Sequence, residues 1–215
     1  MHCLWRAVDH DPVPAEATAI SVFAYDTAPL PGILRAWEAG KERIVAAIPE
    51  GNLVAATLRH FGAPGVPETR VMRRGSLEVR LLPFMPQVRY DELLWCCDLN
   101  FVRGEDSFVR AQWAARPFVW HIYPQAERAH WRKLEAFLEL YTQNLAQSPA
   151  HAIGRFMRFW SGIEEGGADI AQQLWRALVR EHPTLRNHAR HWAQRMGTVD
   201  SMADQLARFS SSKLK

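Results

Sequence analysis

Arg103, Glu105, Asp106 and Ser107 surround Gly104 in the run CDLNFVRGEDSFVRAQW, residues 97–113. The set brings a fixed cation, two carboxylates and a hydroxyl to one glycine turn. Residues 99–102 read as the end of a buried strand, Gly104 permits a sharp reversal, and Glu105 opens a helix over residues 105–115. A helix starting just past a strand presents free backbone N–H groups, and beside Arg103 such a start suits a diphosphate. Ordinary helix capping is the competing explanation for acidic first-turn residues. Two carboxylates repel a diphosphate, so an anion site here requires at least one of them to face a sugar or an acceptor.

Phe23, Tyr25, Phe84 and Tyr123 fall at the ends of the first, third and fifth predicted strands, where they can converge on one crevice. An aromatic wall stacks a base or lines a sugar, and Gln87 and Tyr123 can hydrogen-bond a base or sugar edge. Core packing is the alternative for each aromatic alone. His121, Tyr123 and Gln125 alternate along HIYPQ. His121 is either an acid or base or a satisfied structural histidine. His188 and His191 share a helix face beyond His182, but no carboxylate or cysteine completes a zinc set, and no metal site is expected. Residues 155–160 mix arginines with aromatics, as a nucleic-acid surface or an amphipathic helix does.

Alternating elements must carry these residues. Strands are expected at 19–25, 43–48, 77–82, 99–102 and 117–122. Helices are expected at 33–39, 52–61 (capped by Asn52), 90–97 and 105–115. Beyond residue 127 the pattern is helical throughout, with helices at 128–145, 151–160, 169–181 and 185–209. This order predicts an α/β fold, a Rossmann-like parallel sheet with right-handed crossovers and a helical C-terminal part. In such sheets the ligand crevice lies outside the carboxyl ends of the strands. The expected division is a leader or interdomain segment at 1–18, a Rossmann-like core at 19–126 and C-terminal helices of the same domain at 127–215.

The 215 residues suffice for one full core, and 26 basic against 23 acidic residues leave a net charge of +3. That balance gives no general attraction to nucleic acid. Cys3, Cys96 and Cys97 form neither a disulfide framework nor a CxxC pair, and no apolar run reaches the ~20 residues of a membrane span. A cytoplasmic protein with no membrane partner is expected. GxGxxG and GxxxxGK[ST] are both absent.

The run CDLNFVRGEDSFVRAQWAARPFVWHIYPQ closely resembles the signature of the bacterial protein-arginine rhamnosyltransferases that modify elongation factor P, the EarP family. The likeness extends from AISVFAY through PFMPQ and YDELLW to the helical tail. It implies one half of a GT-B glycosyltransferase, the C-terminal donor-binding domain. The family's reaction is inverting transfer of L-rhamnose from dTDP-β-L-rhamnose to one arginine of elongation factor P, with no cofactor. On matching positions, Phe23 and Tyr25 would line the donor site and Phe84 with Gln87 would hold the thymidine end. Arg103, Asp106, Ser107 and Tyr123 would hold the ribose and diphosphate, Asp106 meeting a hydroxyl rather than phosphate. Glu105 would be the functional glutamate near the reacting centre.

The resemblance also implies an N-terminal domain of comparable size that supplies a catalytic carboxylate. None of it is found here, so an excised domain, a truncated frame or half of a split enzyme is expected, and one inactive by itself. The alternatives are another nucleotide-sugar transferase, or a noncatalytic domain that binds a nucleotide or a protein.

Overall fold

The computed structural model of the chain describes residues 11–198. Its strands are β1 (Thr18–Val22), β2 (Ile44–Pro49), β3 (Val71–Arg74), β4 (Leu77–Leu82), β5 (Leu99–Arg103) and β6 (Phe118–His121). The helices are α1 (Leu30–Glu38), α2 (Val54–Phe61), α3 (Gln87–Cys96), α4 (Asp106–Trp113), α5 (Ala129–Thr142), α6 (Gln147–Trp160) and α7 (Ala168–Gly197). The sheet order is β3-β4-β2-β1-β5-β6, parallel except for the β3–β4 pair. Strands such as IVAAIP and LEVRLL are buried on both faces, as a covered parallel sheet demands. The α/β fold with a mostly parallel sheet and a helical C-terminal part is the one expected from the sequence.

The chain runs outward from β1 through β2 to β4, then returns to place β5 and β6 on the other side of β1. The direction therefore reverses between β1 and β5. Loops after these two strands diverge there and leave a crevice between them. Above one face lies the main core, in which Phe101 of β5 meets Trp160 of α6 at 4.7 Å between ring centroids and Trp37 of α1 meets Trp175 of α7 at 5.4 Å. The opposite face is thinner: Ala19, Ala47 and Leu82 pack beneath Leu93 and Cys97 around α3. On that face Glu78 also accepts from Arg80 (2.7 Å) and Arg73 (2.8 Å), and the two guanidinium groups hold its carboxyl below the usual range despite burial.

Several elements differ from expectation. β3 falls in a stretch with no predicted element. It forms because Gly75, with φ +55°, turns the chain straight back into β4 as a hairpin, so the sheet is mixed. The helices expected on either side of Pro183 are one, because the buried stripe of Leu174, Leu178, Leu185 and Trp192 continues across the proline and anchors both segments. The end of the expected 185–209 helix lies outside the described residues. Asn52 caps nothing: α2 begins at Val54 with Leu53 as the residue before it and no side-chain cap. Among the described residues no helix is long and apolar enough to cross a membrane.

A Cβ at position 75 would collide with the carbonyl oxygen of Glu38, which accepts the Ser76 N–H, and the positive φ adds backbone strain. Gly75→Ala is expected to destabilise the fold by about 2 kcal/mol or more. Urea unfolding of the two proteins measures it, and equal midpoints would disprove the collision.

Candidate functional site

Every parallel strand delivers a side chain to one edge of the sheet. Phe23 and Tyr25 follow β1, Glu50 follows β2, Phe84 and Met85 follow β4, Glu105 follows β5 and Tyr123 follows β6. A crevice of about 440 Å³ opens there, and its wall contains Phe23, Tyr25, Phe84, Gln87, Arg103, Glu105, Asp106 and Ser107. Eight of the nine residues expected at a ligand site are thus brought together. The ninth, Tyr123, lines an adjoining pocket of about 210 Å³ and touches Tyr25 edge to face at 5.5 Å.

Arg103 is the cation of the crevice. Its guanidinium carbon lies 4.1 Å from the centroid of the Phe23 ring and 4.9 Å from that of Tyr25, and Nη1 donates to the Ala24 carbonyl at 3.3 Å. Among the described residues no carboxylate forms an ion pair with it. Aromatic faces fix a guanidinium without neutralising it, which leaves its donors for an incoming anion. Phe84 stands at the mouth, 86% exposed, where nothing of the described chain covers its ring.

Gly104 makes the turn with φ +62°, its N–H donating to the His121 carbonyl (3.1 Å) and its carbonyl accepting from Trp120 Nε1 (2.7 Å). A Cβ there would stand 2.8 Å from the Tyr25 hydroxyl, so glycine also permits Tyr25 to lie against the turn. Ser107 Oγ accepts from the Arg103 N–H at 3.0 Å and donates to the Arg103 carbonyl. Its hydroxyl braces the turn and has no second proton to give. The first backbone donor bonded along α4 is Val109 N–H, to the Glu105 carbonyl at 3.0 Å. The N–H groups of Asp106, Ser107 and Phe108 precede it, in the first turn of the helix.

The carboxylates divide. Asp106 Oδ2 accepts from Arg110 Nε at 2.8 Å and from Gln87 Nε2 at 3.4 Å, and Arg110 also grips both oxygens of Asp91. Asp106 is therefore partnered on the spot, by a cation it shares with Asp91. Glu105 is exposed and pairs with no cation among the described residues. Burial raises the pKa of Tyr25, opposed by Arg103 and assisted by Tyr123 and Glu105, so its phenol stays protonated and serves as a donor.

The match to known proteins is extensive. A family model described as "Elongation-Factor P (EF-P) rhamnosyltransferase EarP" covers residues 1–211. The chain belongs to the EarP family. It is 43% identical over 190 residues to a protein-arginine rhamnosyltransferase of Pseudomonas aeruginosa, covering 88% of this chain and 49% of that protein. The Pseudomonas putida relative is 41% identical over 95% of this chain and 52% of its own length. A chain in a solved structure described as "Structural basis for EarP-mediated arginine glycosylation of translation elongation factor EF-P" superposes with a TM-score of 0.84 at 37% identity. That match spans 97% of this chain and 65% of the other. The chain spans about half the length of the curated relatives it matches.

Within this EarP fold the crevice has wall residues that the sequence did not point to: Pro49, Glu50, Met85 and Tyr90. Glu50 had a readable signal, since it directly follows a parallel strand. Tyr90 looked like an ordinary helix residue, yet its ring meets Phe23 edge to face at 5.7 Å and its hydroxyl is buried beside Ser107, with its pKa raised by burial. His182, His188 and the arginines of residues 155–160 make contacts within the fold, away from the crevice. His188 is buried against the Tyr141 ring, and His182 Nε2 faces the Asp98 carbonyl at 3.0 Å. Arg155 pairs with Glu164 and Arg158 with Glu135, while Phe156, Phe159 and Trp160 between them are buried.

His121 is structural. Tyr25 N–H donates to its Nδ1 at 3.3 Å, which puts the ring proton on Nε2, facing Thr27 Oγ1 at 3.4 Å. Burial first, then the charges of Arg103 and His130, lower its pKa to about 4, with Asp26 opposing. The unfolded chain binds this proton near pH 6.5 and the folded one does not, so stability is full above pH 6.5 and falls as pH drops toward 4. From pH 7.5 to 5 the loss is expected to be about 2 kcal/mol. His60, His130 and His188 are shifted in the same direction and steepen it. Urea titrations of wild type and His121→Asn at the two pH values test this assignment, which predicts a shallower fall for the variant; an unchanged slope would refute it.

Proposed function

We propose that the chain is the donor-binding part of a glycosyltransferase that moves L-rhamnose from dTDP-β-L-rhamnose to an arginine of EF-P, with inversion. The observation that carries this reading is Arg103, set against two aromatic rings and without an ion-pair partner among the described residues, beside a helix N-terminus in an EarP-family fold. The leaving dTDP gains negative charge as the bond from the anomeric carbon to phosphate oxygen breaks. Arg103 and the first N–H groups of α4 stabilise that charge through oriented donors already in place.

Each neighbouring residue takes a role its geometry supports. Phe84 stacks the thymine, Gln87 meets its edge, and the free Oδ1 of Asp106 accepts from a ribose hydroxyl while Arg110 holds Oδ2. Ser107 contributes its backbone N–H, because its hydroxyl is committed to Arg103. Tyr25 and Tyr123 donate phenolic protons near the sugar phosphate.

The acceptor is a guanidinium, protonated below pH ~12 and so a poor nucleophile. Glu105, exposed and unpaired among the described residues, orients it beside the anomeric carbon. Attack by its nitrogen forms the C–N bond, dTDP departs, and a carboxylate outside these 215 residues accepts the nitrogen's proton. A polypeptide of these residues alone therefore binds the donor without transferring rhamnose. The relatives it half-covers and the acceptor named with the family support this reading.

In calorimetric titrations dTDP is expected to bind more tightly than UDP or GDP. Arg103→Ala is expected to lose about 1.5–3 kcal/mol of that binding, the range for hydrogen bonds to a charged group. Phe84→Ala is expected to lose about 1–3 kcal/mol through lost base stacking. A flat nucleotide panel, or an Arg103→Ala protein that binds like wild type, would sink the assignment.

A further inference from the structure

We infer that the smaller pocket beside the crevice is the seat of the transferred sugar, and that Gln125 and Lys133 in its wall select that sugar by its hydroxyl groups. This inference rests on the donor-binding reading above and assigns residues which that reading leaves unused.

The two cavities share just two lining residues, Tyr25 and Glu105. A ligand whose base and diphosphate occupy the larger crevice between Phe84 and Arg103 continues past this junction into the smaller pocket. The junction is therefore where the sugar–phosphate bond falls, beside the exposed carboxylate of Glu105. At about 210 Å³ the smaller pocket has room for roughly seven waters at liquid density, the scale of one monosaccharide ring and not of a second nucleoside.

Its wall suits a polyhydroxyl group. Ile122 and the ring of Tyr123 give apolar surface, while the Tyr123 hydroxyl, the Gln125 amide and the Lys133 ammonium supply donors, the amide also an acceptor. Among the described residues Lys133 has no carboxylate partner, so its donors are free. The wall is also held in shape. Gln125 N–H donates to Nδ1 of the buried His130 at 3.0 Å, a bond that requires the ring proton to sit on Nε2. Burial favours this neutral ring by lowering the His130 pKa. Between Gln125 and His130, Glu127 and Arg128 adopt φ values of +55° and +60°, a left-handed pair without glycine. Such backbone persists where surrounding contacts over-determine it, and it clusters at ligand sites.

The test measures two probes, dTDP and dTDP-β-L-rhamnose, on the 215-residue chain and on Gln125→Ala and Lys133→Met. Both positions are exposed, so the fold should survive, which circular dichroism and thermal melting check. The Kd for dTDP-β-L-rhamnose is expected to rise about tenfold in each variant, the loss of one hydrogen bond to a ligand, with the Kd for dTDP unchanged within about twofold. Equal losses for both probes would place these side chains on the diphosphate and overturn the sugar pocket, as would no loss for either. Wild type failing to bind dTDP would instead strike the donor-binding reading itself, and the sugar pocket with it.

Discussion

The pairing of β1 with β5 sets the position of every group in the crevice. Its register joins Ile20 to Leu99 and Val22 to Phe101, so the residues leaving the two strands, Phe23 and Tyr25 on one and Arg103 to Ser107 on the other, emerge side by side. Polar groups inside the sheet enforce that register. Ser21 Oγ donates to Asn100 Oδ1 at 2.6 Å, Asn100 Nδ2 donates to the Leu94 carbonyl at 3.0 Å, and Ala19 N–H donates to Asp98 Oδ2 at 3.0 Å. A slip of one residue would leave buried polar atoms unpaired and turn every side chain to the wrong face. Phe23 N–H then extends the ladder by one bond to the Phe101 carbonyl at 2.9 Å, carrying the alignment up to the ring that Arg103 lies on.

Charge at the crevice is arranged by pairing some groups and sparing others. Arg110 pairs with both Asp106 and Asp91, its single positive charge offsetting part of the repulsion that these carboxylates would impose on an anion. Arg103 is held by π faces instead, and Glu105 is left to solvent. His121, behind them, is kept neutral by burial and by Arg103, so the strand end adds no second fixed cation. One strong donor and one exposed carboxylate thus line the same crevice beside Tyr25, a combination suited to a ligand that is anionic at one end and meets a cation at the other.

Much of this was legible in the sequence because it depends on local grammar. The apolar runs, Gly104 and the acidic start of α4 announce a strand, a turn and a helix, and the alternation of elements announces the sheet. What was hidden depends on long-range packing. The β3 hairpin needed Gly75 to be recognised as a left-handed turn against Glu38. Pro183 read as a break because its cost is local, while the stripe from Leu174 to Trp192 that outweighs it is contributed by the whole helix. Tyr90 resembles any helical aromatic until α3 is laid beside Phe23. Phe84 stands out as an aromatic lying past a strand, whereas Glu50 holds the equivalent place after β2 without being an aromatic.

The unbroken run of α7 has a mechanical meaning for the crevice. The helix packs on α1 and α6, and near its far end Trp192 Nε1 donates to Gln112 Oε1 of α4 at 2.9 Å inside the protein. Helix α4 is therefore gripped at its back while its front faces the crevice, so the N–H groups at its start are aimed before any ligand arrives. Little orientational entropy remains to be lost there on binding, and this end of α4 resembles a mould already set more than a finger that closes.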